Sequence, residues 1–178
     1  MSLIYIASVT ASASATVSFT TGIDATYNEY QFHMVNMHPA SDSVDFLFQV
    51  NAAGASGFNE TITSTNFRAV HDEADSTTWF NYDTGDDQAQ GTAYQSIANY
   101  QGYDNDQGVS GVLTLYAPSS TTYVKHFTSR VNAIASNDYI NDSFAAGYIN
   151  VTAAIDEISF KFSSGNIDLG TIHMYGVG

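Results

Sequence analysis

The chain has no cysteine, and this absence removes several kinds of chemistry at once. Without a thiol there is no cysteine nucleophile, no disulfide, no cysteine-ligated zinc and no iron–sulfur cluster. The 178 residues suffice for a single domain that needs no such staple, because a chain of this size buries roughly 70% of its unfolded surface. The sequence therefore predicts one domain over residues 1–178.

Positive charge is also scarce. Four Lys and Arg stand against 18 Asp and Glu, which gives a net charge of −14. Proteins that follow a nucleic-acid backbone neutralise several phosphates with clustered basic residues. The charge balance argues against a nucleic-acid partner and, for the same reason, against an anionic membrane surface.

Long apolar runs and targeting signals are missing too. The longest apolar run near the start is Leu3 to Ala7, and no basic segment precedes it. That run is too short for the core of a signal peptide or for a membrane span. We therefore expect a chain with neither a signal peptide nor a membrane span.

What the sequence does contain favours strands. Hydrophobic residues make up 44% and aromatic residues 13%, far from the composition of a disordered acidic chain. Thr, Tyr, Phe, Val and Ile are common while Lys, Glu and Leu are few, and this favours β-structure over helix. The sequence predicts an all-β protein.

Short segments alternate between apolar and polar residues, as half-buried strands do. The cleanest is Val44 to Val50, and Pro39 ends an earlier one. About nine or ten such segments, separated by turn residues, predict a jelly-roll-like two-sheet β-sandwich. Ile155–Phe162 and the final strand look like a terminal hairpin, and 132–147 is the best place for a short helix.

The region 72–108 shows little periodicity in its first part and reads as a long irregular excursion on the surface. It holds the only Trp, Trp79, and a strand is expected at Ala93 to Asn99. Four of its carboxylates are candidate Ca²⁺ ligands, since hard cations prefer oxygen: Asp83, Asp87, Asp104 and Asp106. None forms an EF-hand loop, because the closing carboxylate is missing, and the competing interpretation is that they cap turns.

Catalytic motifs are not found. No G-x-S-x-G elbow and no phosphate-binding glycine loop occurs in the sequence. Paired carboxylates discriminate nothing in so acidic a chain. We expect no enzymatic activity and no cofactor apart from the Ca²⁺ alternative.

Exposed aromatic residues are the more informative candidates. Trp79, Tyr82 and Tyr103, with Tyr94 and Tyr100 nearby, have rings that could stack on sugar faces or pack against a partner subunit. The competing interpretation is that they cover the sandwich core.

Lys125, His126 and Arg130 would form a local positive spot on an acidic protein. Two interpretations stand for this spot: an ion-pair site between subunits, or a solvated strand face.

Three segments taken together carry a resemblance to a known group. They are VSFTTGIDATY at 17–27, PSSTTYVKHF at 118–127 and FKFSSGNIDLGTI at 160–172. Their composition and short sequence stretches resemble those of small β-rich virion structural proteins of tailed phages, especially marine and cyanobacterial ones. The resemblance spans nearly the whole chain and transfers no active-site residue.

The resemblance implies a protein of the assembled virion, made in the host cytoplasm. The first expectation is a capsid decoration (cement) protein, a homotrimer that clamps neighbouring major capsid subunits. The alternative is a tail or fibre component that acts as a carbohydrate-binding module, with Trp79, Tyr82 or Tyr103 stacked on host surface glycans.

Overall fold

The computed structural model describes residues 2–178, which form thirteen β-strands and no helix, so this range holds nothing that could cross a membrane as a helix. The strands are β1 (Leu3–Thr10), β2 (Val17–Phe19), β3 (Glu29–Pro39), β4 (Val44–Ala52), β5 (Ile62–Asp72), β6 (Thr78–Tyr82), β7 (Ala89–Gly91), β8 (Gln95–Gln101), β9 (Val109–Tyr116), β10 (Lys125–Ile134), β11 (Tyr139–Ile149), β12 (Ile155–Phe162) and β13 (Ile167–Val177).

The strands form two antiparallel sheets that pack as a sandwich in one domain. The large sheet runs β1-β13-β3-β9-β10-β11-β5-β6, with β7 paired to one end of β5. The small sheet runs β2-β12-β4-β8. The small sheet covers one face of the large sheet, and the other face of the large sheet has no second layer over it.

The chain alternates between the sheets, as a jelly-roll connection requires. β2, β4, β8 and β12 lie in the small sheet, while β3, β5, β9 and β13 lie in the large one. Between β8 and β12 the chain adds a three-stranded meander, β9-β10-β11, to the large sheet. The predicted all-β, jelly-roll-like sandwich is confirmed.

The apolar part of the core is built around Phe160 of β12. Its ring centroid lies 5.8 Å from that of Phe32 on β3, and 6.1 and 6.5 Å from those of Phe46 and Phe48 on β4. All four rings are buried because period-two alternation aims them inward from both sheets. The predicted strand Val44 to Val50 is confirmed as β4.

The helix predicted at 132–147 is wrong. β10 and β11 pair residue by residue from Lys125 opposite Ile149 to Ile134 opposite Ile140, and a tight turn joins them with Asp138 at φ 60°. The inward positions of β11 include the polar residues Asn141 and Ser143, which conceals the strand alternation in the sequence.

The terminal hairpin is also wrong, because β12 pairs with β2 and β4 while β13 pairs with β1 and β3. The two strands lie in different sheets. The region 72–108 is more regular than the sequence predicts, since it contains β6, β7 and β8. The strand expected at 93–99 is confirmed as β8, most of which is buried.

Candidate functional site

A row of stacked side chains crosses the uncovered face of the large sheet. Arg130 on β10 pairs in register with Phe144 on β11, which pairs with Phe67 on β5. The Phe67 and Phe144 rings stack with centroids 5.1 Å apart and planes 9° apart, and Phe80 on β6 meets Phe67 edge-on at 5.3 Å. Arg130 Cζ lies 5.1 Å from the centroid of the Phe144 ring. We call Arg130, Phe144, Phe67 and Phe80 the aromatic ladder.

The aromatic ladder is open to solvent at both ends. The Phe80 residue is 63% exposed and the Arg130 side chain is 70% exposed. Asp142 fixes the guanidinium by accepting from Nε at 3.1 Å and from Nη2 at 2.8 Å. The carboxylate raises the pKa of Arg130. The ladder thus presents apolar rings and an oriented cation on one flat surface.

Tyr82 lies on the same face as the ladder, opposite Phe67 in the β5–β6 register. Its hydroxyl donates to Asp87 Oδ2 at 2.5 Å, and this bond raises the pKa of Tyr82. Tyr82, predicted as a partner or glycan contact, and Asp87, predicted as a Ca²⁺ ligand, are therefore hydrogen-bonded to each other. Asp87 serves as an acceptor for a tyrosine at this place.

A second feature lies at the inner face of the large sheet, where the Arg68 guanidinium contacts two aromatic rings. Arg68 Cζ is 5.0 Å from the centroid of the Trp79 ring and 4.8 Å from that of Tyr100. Such cation–π contacts strengthen when the cation is desolvated, and the Arg68 side chain is only 10% exposed. The three residues line a pocket of about 290 Å³, with Tyr139 and Asn141 among its other walls. We call this the Arg68 pocket.

The backbone at Tyr100 is unusual. Its φ is 55°, in the left-handed region that a non-glycine residue enters at a cost of about 1–3 kcal/mol. The Asp45 carboxylate accepts the Tyr100 N–H at 3.0 Å and holds this conformation. The ring, half exposed, is thereby turned over Arg68 instead of continuing the strand alternation.

Acidic groups lie behind the pocket. Asp83 Oδ2 pairs with Arg68 Nη2 at 2.9 Å. Burial, together with the charges of Asp83 and Asp45, raises the pKa of Asp86 to about 6. Burial also raises the pKa of Asp45. Since none of these carboxylates lines the Arg68 pocket, its walls offer aromatic, amide, hydroxyl and guanidinium groups, which suit binding better than acid–base chemistry.

Sequence reasoning missed the polar interior next to this pocket. Alternation on β5 turns Asn66 and Arg68 inward and Phe67 outward, the reverse of an ordinary strand. The buried polar side chains that meet here come from β5, β8 and β11: Ser64, Asn66, Arg68, Gln95, Ser96, Asn99, Gln101, Asn141 and Ser143. The signal in the sequence was the repeated polar residue at every second position of β5.

The positive spot expected at Lys125, His126 and Arg130 does not exist as one site. Lys125 and Arg130 point to opposite faces of β10, because they are an odd number of residues apart. Lys125 is fully buried, and its Nζ donates to the carbonyls of Val151, Thr152 and Ala153 at 3.2, 2.8 and 2.5 Å. The carbonyl of Tyr123 also lies 3.1 Å from Nζ, so the three N–H groups of the ammonium are shared among four carbonyls. Lys125 therefore fastens a loop to the core.

Tyr103 is half exposed on the loop after β8 and lines a different depression from that of Trp79. Asp104 lies beside it and accepts from His38 Nε2 through its main-chain carbonyl at 3.1 Å. Asp106 lines a concavity of about 760 Å³, together with His38 and Asp168. The predicted aromatic group is therefore split between separate surfaces.

The four predicted Ca²⁺ ligands do not converge. Asp83 pairs with Arg68, Asp87 accepts from Tyr82, and Asp104 and Asp106 lie on another loop. Within residues 2–178 no group of three or more His, Asp or Glu side chains has a geometry that would hold a metal ion.

Comparison of the chain with protein-family models, with curated proteins and with solved structures gave no match. The aromatic ladder is a flat surface and the Arg68 pocket is a small concavity, so the two suit different kinds of partner: a protein face and a small polar molecule.

Proposed function

We propose that the chain is a non-enzymatic virion structural protein, most simply a capsid decoration protein on the outer surface of a tailed phage. The observation that supports this is the aromatic ladder on the uncovered face of the large sheet. The resemblance in segments 17–27, 118–127 and 160–172 supplies the class of particle. Its partners are further copies of itself, expected as a homotrimer, and a major capsid or tail protein.

The ladder has the chemistry of an assembly surface. Large contiguous patches of exposed apolar groups are rare on monomeric domains, and they usually mark interaction sites. Aromatic residues and Arg are also the side chains most enriched where binding energy concentrates in interfaces. A partner that covers Phe144 and Phe67 with apolar groups and offers a carboxylate to Arg130 would match it.

The charge of the chain fits the same role. With a net charge of −14, copies repel one another and nucleic acid except where specific apolar contacts form. Association is then confined to built surfaces such as the ladder. This supports a protein added to a particle that contains packaged nucleic acid.

The test is cosedimentation of the purified chain with particles of the encoding phage that lack it. Wild type is expected to sediment with the particles, and Phe144→Ser is expected to reduce bound protein at least tenfold. Tyr123→Ser removes an exposed aromatic side chain away from the ladder and serves as the matched control. Absence of wild-type binding to both capsids and tails would overturn the proposal, and equal binding of Phe144→Ser would exclude the ladder.

The second candidate is a carbohydrate-binding component of a tail or fibre. The Arg68 pocket favours it, because Trp79 and Tyr100 offer π-surfaces beside amide and hydroxyl groups, the combination that holds sugars. Binding to an array of bacterial surface glycans that is lost in Trp79→Ala and kept in Tyr103→Ala would support it. No binding by wild type to any glycan would remove this candidate.

A further inference from the structure

One of the four sheet edges is long and unprotected. β2 has three residues, β6 has five, and β8 is irregular in register with a left-handed Tyr100. β1 has eight residues and hydrogen-bonds on one side only, to β13. Natural proteins protect long edges with charge, proline or a covering segment.

β1 lacks these protections. Its sequence, LIYIASVT, has no charged residue and no proline, and the first charged residue of the chain is Asp24. Leu3, Ile4 and Tyr5 are each more than 40% exposed. The one irregularity is a bulge at Ile6, between the pairs of Tyr5 and Ala7 with β13.

The hydrogen-bond pattern between β1 and β13 determines which main-chain groups of β1 point away from β13. Ser2 and Gly178 exchange both hydrogen bonds, at 2.9 and 3.0 Å. Hydrogen-bonded and non-hydrogen-bonded pairs alternate in an antiparallel ladder, so the N–H and C=O groups of Leu3 and Tyr5 point outward. Beyond the bulge, Ala11 donates inward to Gly170, and the outward groups are those of Ser8 and Thr10.

A two-fold axis at the bulge satisfies all four outward residues at once. In an antiparallel pair of identical β1 strands, Leu3 then lies opposite Thr10 of the second copy, and Tyr5 lies opposite Ser8. The same register pairs Ile4 with Val9. In this register, paired side chains lie on the same face of the joined sheet. Tyr5 and Ser8 both lie on the outer face, where Tyr5 Oη donates to Ser8 Oγ of the same copy at 3.0 Å. Val9 packs toward the core.

We propose that the partner of β1 is a second copy of this chain, joined antiparallel in this register. The large sheets of two copies then continue edge to edge. Residues 2–23 carry no charged side chain, so at this edge no local charge repulsion opposes a second copy, although the whole chain carries −14. The inference rests on the self-association in the proposed function, and it gives a two-fold contact instead of the three-fold one expected from the resemblance.

Cysteine cross-linking tests the register, and the chain has no cysteine of its own to interfere. Ile4→Cys and Val9→Cys proteins, mixed and oxidised, are expected to form a covalent dimer containing one of each. Neither variant alone should cross-link, because Ile4 does not face Ile4, nor Val9 face Val9. Asn81→Cys, on the opposite edge strand β6, is the matched control. Cross-linking of Ile4→Cys alone, or none in the mixture, would overturn the register.

Analytical ultracentrifugation tests the pairing itself. Wild type should sediment as a dimer, and Ser8→Pro as a folded monomer with the same far-UV circular dichroism spectrum. This proline removes an outward N–H and the exposed hydroxyl that accepts from Tyr5. A wild-type monomer, or a trimer unaffected by Ser8→Pro, contradicts the pairing. A monomer that still cosediments with particles overturns the β1 contact but leaves the virion role intact.

Discussion

The main-chain N–H of Tyr100 donates to the carboxylate of Asp45 at 3.0 Å, and this bond ties the edge of the small sheet to the strand beside it. It holds Tyr100 in the left-handed conformation, which places the ring 4.8 Å from Arg68 Cζ. The only buried guanidinium of residues 2–178 is therefore positioned from both sheets, by Trp79 on one side and Tyr100 on the other.

Replacing Arg68 by Met should destabilise the fold strongly. Asp83 would lose its cation while it remains close to Asp86, and leaving one partner of a buried ion pair uncompensated costs about 3–5 kcal/mol. Arg130→Met is the matched control, because the Arg130–Asp142 pair is exposed and such pairs contribute about 0–1 kcal/mol. Urea unfolding measures both, and equal losses would contradict the role assigned to Arg68.

Asp86 should make the fold less stable as pH rises. Its pKa is raised from 3.8 to about 6, so between those values the folded chain binds more protons than the unfolded chain. The free energy of unfolding therefore falls from about pH 4 to about pH 6. Asp86→Asn should be more stable than wild type at pH 7, and its stability should depend less on pH in this window.

Asp72 provides a control of opposite sign. The Ser76 hydroxyl, followed by the Thr77 N–H, lowers the pKa of Asp72 to about 2. Its contribution is present above about pH 4 and is lost as the pH falls towards 2. Asp72→Asn should accordingly reduce stability at pH 7. Thermal unfolding over a pH series distinguishes the two variants, and a gain of stability in Asp72→Asn would refute the assignment.

Lys125→Met should loosen the segment after β11. The methionine fills a similar volume but leaves four carbonyls without their donor, and hydrogen bonds to a charged group contribute about 1.5–3 kcal/mol each. We expect a loss of at least about 2 kcal/mol and faster amide exchange near 150–154. Lys161→Met, at a lysine that lies over the Tyr94 ring, is the control. Unchanged exchange in Lys125→Met would show that the carbonyls hold the loop without it.

Gly147→Ala should be costly at a place where two strands approach closely. A Cβ there would overlap the Thr63 carbonyl oxygen and lie 2.8 Å from the Phe127 ring. Overpacking a core typically costs about 1–3 kcal/mol. Gly85→Ala, whose nearest neighbour would be 3.6 Å away, should change stability little. Chemical unfolding of the pair checks this, and similar midpoints would contradict it.

The sequence predicted the fold class because several strands bury an apolar face in strict alternation. β4 was readable from Phe46 and Phe48 alone. β11 was not, because its inward Asn141 donates to the Asn99 carbonyl on β8, a partner 42 residues away along the chain. The partner that stabilises inward Asn141 lies in the opposite sheet, and local sequence does not reveal that partner.

The candidate sites divide in the same way. Trp79, predicted as a partner or glycan contact, lines the Arg68 pocket, but its neighbour Arg68 was not predicted, since β5 reads most simply with Phe67 inside. The aromatic ladder was missed for the same reason. Alternation by itself puts Lys125 and Arg130 on opposite faces of β10, against a single positive spot, but only the packing shows that the Lys125 ammonium lies among carbonyls.

All four basic residues of the chain lie inside β-strands: Arg68 in β5, Lys125 and Arg130 in β10, and Lys161 in β12. Trypsin cleaves after such residues and needs a flexible segment to enter its cleft, whereas here every susceptible bond is held in a sheet. The folded chain should therefore resist cleavage by trypsin, because the loops carry no basic residue and so contain no trypsin site.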